Sequence, residues 1–103
     1  MLRVLVVFLM VASPAMAVTI KGVGAGSCSD WTDKRGQTDP TMKFGVESWV
    51  LGYMSAIAED KKRDILNGTD AEAIFKEVDI LCALKPGQLT ADAARRLVDY
   101  LSK

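Results

Sequence analysis

Three features of the sequence predict an all-α fold. Apolar residues recur at helical spacing in three separate segments. Glycine and proline mark the breaks between those segments. Alternating strand-like patterns are scarce after Gly26. The expected architecture is a small bundle of three to four helices with one disulfide, placed after a cleaved leader. A chain of 103 residues makes room for a single domain, expected over residues 27–103.

The leader is expected over residues 1–17, "MLRVLVVFLMVASPAMA". Arg3 supplies its positive start, Val4 to Ala12 its apolar centre, and Ala15-Met16-Ala17 the small-x-small pattern that a signal peptidase cuts. The apolar run covers about nine residues, well short of the ~20 that cross a bilayer. A membrane anchor or a buried first helix fits these flanks less well than a secretory signal does. No cysteine follows the cut, so lipid attachment is not expected. The mature chain then begins at Val18, has no further stretch able to span a membrane, and is expected in the periplasm.

Export bears directly on the two cysteines, Cys28 and Cys82. In an oxidising compartment a lone pair is expected as a disulfide. They are too far apart for a CxxC redox motif. With no histidine in the chain, a zinc site or a histidine-activated thiol is not expected. Two free buried thiols are the alternative.

Residues 18–26 read as a flexible, turn-rich arm. Gly22, Gly24 and Gly26 are spaced GxGxG, but a phosphate cradle needs a preceding strand and a following helix. A short helix is expected over Ser29 to Arg35, capped by Ser27 or Ser29, with Trp31 beside the bridge. Gly36 to Thr41 reads as a loop. Val46, Trp49, Val50, Tyr53, Met54 and Ile57 then form a full helical stripe. Gly52 interrupts it, either for close approach of a neighbour or through simple tolerance. Asn67-Gly68 is the expected stop. Thr69 and Glu72 form a capping box for the next helix, which carries Ala71, Ile74, Phe75, Val78, Leu81 and Cys82 on one side. Lys85-Pro86-Gly87 breaks the chain before a last helix, Thr90 to Leu101. The aromatic side chains Trp31, Trp49, Tyr53 and Phe75 are expected in the core.

Thirteen basic and 13 acidic residues balance, and losing Arg3 tips the mature chain slightly acidic. That balance argues against nucleic-acid binding. No Ser-His-Asp or Cys-His set is available without histidine, and Glu47 and Glu59 sit about three turns apart on one helix. Neither an enzyme nor a cofactor is expected. What remains is binding to another protein. Candidate contacts are the only basic cluster, Lys61, Lys62 and Arg63, and the loop around Pro86.

The stretches "SCSDW", "SWVLGYMSAIA", "ILNGTDAEAIFKEVDILC" and "LTADAARRLVDYL" resemble a group of small exported bacterial proteins. In layout the chain is similar to two better-known classes. HdeA-type periplasmic acid chaperones are small and helical, with one disulfide joining an early and a late segment. Periplasmic amidase-immunity proteins share a "GY" helix, a following cysteine and a last helix ending in "YL", matched here by Gly52-Tyr53, Cys82 and Tyr100-Leu101. Cys28 departs from the immunity pattern, because it precedes the "GY" helix. The resemblance implies a periplasmic inhibitor or immunity-type protein that binds a cell-envelope or cell-wall-degrading protein. Phage- and plasmid-borne inhibitors fall in this class. The alternative is an acid-stress chaperone, whose 13 acidic side chains would lose charge in acid and loosen the fold.

Overall fold

The computed structural model describes residues 19–103, and the expected leader lies outside them. Four helices follow one another: α1 (Cys28–Arg35), α2 (Pro40–Lys61), α3 (Ala71–Leu84) and α4 (Thr90–Leu101). No strand occurs among the described residues. An isolated antiparallel bridge pairs Ser27 with Leu89.

Each helix starts where a side chain can accept a free backbone N–H. The Ser27 hydroxyl accepts from the Asp30 N–H at 3.3 Å, so α1 begins one residue before the expected start. Ser29 is inside the helix, and its hydroxyl donates instead to the Pro86 carbonyl at 3.3 Å. Asp39 caps α2 by accepting from the Thr41 N–H at 2.9 Å, with Pro40 at the first helical position. The loop expected through Thr41 therefore ends at Asp39. Asp70, not Thr69, caps α3, accepting from the Ala73 N–H at 2.8 Å. Glu72 does not reach back in a capping box; its carboxylate turns towards α1. The bounds of α4 match the expected ones, and Asp92 accepts from the Leu89 N–H at 3.3 Å.

The second helix stops earlier than Asn67-Gly68. Lys62 adopts a left-handed conformation (φ 55°, ψ 39°), and the Lys62 and Arg63 N–H groups return to the Glu59 and Ala58 carbonyls. Stopping there lets Ile65 and Leu66 fold back onto the core. Gly68, at φ 85°, serves the turn that follows.

The core gathers Val46, Val50 and Met54 from α2, Ile74, Phe75 and Val78 from α3, and Ala94, Leu97 and Val98 from α4 around Trp31 and the Cys28–Cys82 disulfide. Trp31 and Phe75 are buried as expected, with ring centroids 6.2 Å apart. Trp49 and Tyr53 pack against the core only partly buried and stack on each other at 4.9 Å. Ala71, expected on the buried side of α3, is exposed at the first turn. Gly52 has no atom within 4 Å of where a Cβ would stand, so it is a tolerated surface glycine with no close neighbour.

The arm expected to be flexible carries one 3-10 turn, Val23–Ala25, laid across Trp49. A Cβ on Gly24 would come within 1.9 Å of the indole, so only glycine permits this approach. The Trp49 indole N–H donates to the Lys21 carbonyl at 3.2 Å.

The disulfide closes a sequence separation of 54 and ties the first turn of α1 to the last turn of α3. Replacing both cysteines by serine is expected to lower unfolding free energy by about 4 kcal/mol in the chain-entropy account. Denaturant unfolding of the oxidised protein against the Cys28→Ser, Cys82→Ser variant measures it.

Candidate functional site

At the far end of α1 from the disulfide, one guanidinium collects the carboxylates of two other helices. Arg35 Nε donates to Asp79 Oδ1 at 3.1 Å and Nη2 to Asp79 Oδ2 at 2.7 Å, a two-pronged pair. Its Nη1 donates to Glu47 Oε2 at 2.6 Å, and Glu72 lies 3.5 Å from Nη2. The Trp31 indole N–H donates to Asp79 Oδ1 at 2.7 Å. The guanidinium carbon also sits 5.6 Å from the Trp31 ring centroid and 5.3 Å from that of Phe75. Local sequence accounts for the convergence. Trp31 and Arg35 are one helical turn apart on α1, as are Phe75 and Asp79 on α3.

Hydrogen bonding to Asp79 holds the Arg35 guanidinium well above its ordinary pKa; burial works against this, and Glu47 adds to it. A raised pKa means stability that is present below the ordinary arginine value and lost only in strong base. Arg35 therefore stays charged at any working pH.

This cluster forms part of a groove of about 530 Å³ between α1, α3 and the loop joining α3 to α4. Ser29, Thr32, Lys43, Glu72, Asp79 and Pro86 line it, with Cys82 and Ala83 on the α3 wall. The groove's walls are fixed: the Pro86 carbonyl accepts from both the N–H and the hydroxyl of Ser29, and the Gln88 carbonyl accepts from the Cys28 N–H at 2.7 Å. A second, apolar groove of about 310 Å³ runs between α3 and α4 on the opposite flank of α3, lined by Leu81, Leu97 and Tyr100 with Glu77, Arg96, Asp99 and Lys103 around them.

Of the candidate contacts from the sequence, Pro86 lines the larger groove. Lys61, Lys62 and Arg63 are exposed where α2 ends, make no ion pair among the described residues, and line neither groove. Sequence reasoning did not single out Arg35 and Asp79, and treated Glu47 as a surface acid. One signal was present: Asp79 stands four residues after Phe75 and three before Cys82, on the edge of the apolar stripe of α3. Among the described residues no three side chains form a metal-binding group, and no helix is long and apolar enough to cross a membrane. Comparison with protein families, with characterised proteins and with solved structures finds no match to this chain.

Removing the guanidinium leaves Asp79 and Glu47 uncompensated, the costly way to break a shielded pair. Arg35→Ala is expected to destabilise the fold by about 2–3 kcal/mol, with Arg35→Lys in between because an ammonium cannot reproduce the fork. Urea unfolding of the three proteins gives the order.

Proposed function

We propose that the chain is an exported, non-enzymatic protein-binding module of inhibitor or immunity type, acting in the periplasm on a cell-envelope or cell-wall-degrading protein. The groove between α1 and α3 carries this reading. Its walls are locked at one end by the disulfide and at the other by Arg35, and the Ser29–Pro86 contacts hold its loop. A partner would meet a surface already in its bound shape, which lowers the ordering cost of association. The exposed side chains Thr32 and Glu72 and the Pro86 ring are the contacts the groove offers; the basic cluster at Lys61, Lys62 and Arg63 is a separate rim candidate.

The test is protection of cell-wall substrate from purified amidases and lysozymes. The wild-type protein is expected to inhibit at least one of them. Thr32→Arg, which fills the groove from an exposed position, should weaken inhibition about tenfold or more while leaving the unfolding midpoint in place. Charge reversal at Lys61, Lys62 and Arg63 should act mainly on the association rate and its salt dependence. Absence of inhibition or capture across the panel would sink the reading.

A second reading is an acid-stress chaperone, which the small helical layout with one disulfide joining an early and a late segment also fits. If this reading holds, near-UV circular dichroism should collapse in strong acid while the protein suppresses client aggregation. An inhibitor should keep its tertiary signal and leave clients unprotected.

A further inference from the structure

The turn that ends α2 carries Lys61, Lys62 and Arg63 in a row, and the disulfide encloses it in sequence. All three side chains are exposed, and none makes an ion pair among the described residues. Lys62 is the one non-glycine among the described residues with a positive φ, 55°, a conformation that an L side chain disfavours. Two backbone bonds tie the turn to α2: the Lys62 N–H donates to the Glu59 carbonyl at 3.1 Å and the Arg63 N–H to the Ala58 carbonyl at 3.2 Å. From Asp64 to Gly68 no backbone N–H donates to a backbone carbonyl among the described residues. Opening this stretch therefore breaks few bonds and releases Lys62 from a disfavoured geometry. A protease needs such an opening, because it cuts an extended chain and not a helix.

The other basic side chains offer no equal site. Lys34, Arg35, Lys43, Lys76, Arg95 and Arg96 stand in helices. The Arg35 guanidinium is also engaged by Asp79 and Glu47. Lys85 is in a loop, but Pro86 follows it, and a peptide bond to proline has no N–H and a fixed φ, which resist cutting. Lys21 precedes α1 and Lys103 follows α4, so a cut at either leaves the four helices on one chain.

We propose that the Lys61–Arg63 turn is a cleavage site for an endoprotease that cuts after basic side chains, and that the product is a folded two-chain protein joined by Cys28–Cys82. Water adds across one peptide bond of the turn, leaving a carboxylate on one side and an ammonium on the other. Helices α1 and α2 stay on the first chain, α3 and α4 on the second. Besides the disulfide, the Arg35–Asp79 fork holds the two chains together. The Cys28 N–H donates to the Gln88 carbonyl at 2.7 Å and the Thr90 N–H to the Gly26 carbonyl at 2.9 Å, again from one chain to the other. None of these contacts involves the turn, so the fold survives the cut. The groove beside Thr32 is not lined by the turn either, so cleavage and partner capture are independent, and either can fail while the other stands.

Limited digestion of the oxidised protein with trypsin, a protease of this class, tests the proposal. The first cut within the helical domain should fall at Lys61–Arg63. The product should gain the mass of one water, run as a single band without reductant and split into two pieces with it. Its near-UV circular dichroism should match that of the uncut protein. The triple variant Lys61→Gln, Lys62→Gln, Arg63→Gln, at exposed positions, should keep the helical spectrum and lose this cut. A first cut within a helix, at Lys34, Arg35, Lys43, Lys76, Arg95 or Arg96, overturns the site. So does a protein cut only as fast as it unfolds globally. A cut product that loses its tertiary signal with the disulfide intact overturns the two-chain form.

Discussion

An eight-residue helix is too short to persist by itself in water, because nucleation costs more than so few hydrogen bonds return. The fold depends on holding α1 in place, and α3 does so along its whole length. Cys28 is bonded to Cys82, Trp31 donates to Asp79 and packs on Phe75, and Arg35 pairs with Asp79 and lies beside Glu72. Partner numbers fall along α3 as they rise along α1, so the two helices run antiparallel in a single register. One covalent tie, one buried indole and one ion-pair fork fix that register. Slipping by a residue would break all three.

The fork extends this order beyond the pair. Through Glu47, Arg35 brings in the first half of α2, whose stripe of Val46, Val50 and Met54 supplies much of the core. Arg35 is thus a joint between three helices. Its side chain is only 11 % exposed, and burying a charge is tolerated here because nearly every donor it has is met by a carboxylate or held near one. Hydrophobic burial supplies the bulk of the stability. The fork supplies direction, because a guanidinium and a carboxylate pair well in few orientations.

This arrangement also separates the molecule's two concave surfaces. The groove beside Thr32 and Pro86 takes in the Arg35 cluster with Glu72, Asp79 and Lys43, whereas the α3/α4 groove is lined by Leu81, Leu97 and Tyr100 with charges of both signs around them. Opposite flanks of α3 serve them. The disulfide and Asp79 tie α3 to α1, while Ile74 and Val78 pack into the core with Leu81 against it. On α2, the Gly24 backbone packs directly on the Trp49 ring, where any larger side chain would collide with it.

Helix number, order and the buried stripes were legible in the sequence, since periodicity reports which side of a helix faces a core whatever the core contains. The cysteine pairing was legible for a similar reason: with two cysteines and an expected oxidising compartment, few alternatives existed. Boundaries were less so. Thr69 and Asp70 can both cap, and it is Asp70 that accepts from the Ala73 N–H; the stop at Lys62 goes with Ile65 and Leu66 folding back onto the core. The Arg35–Asp79–Glu47 joint, the seat of Gly24 on Trp49, and the two grooves were decided by tertiary structure alone. Each depends on where side chains from different helices meet, and that follows from relative helix position and register, which the local pattern of a single helix does not contain.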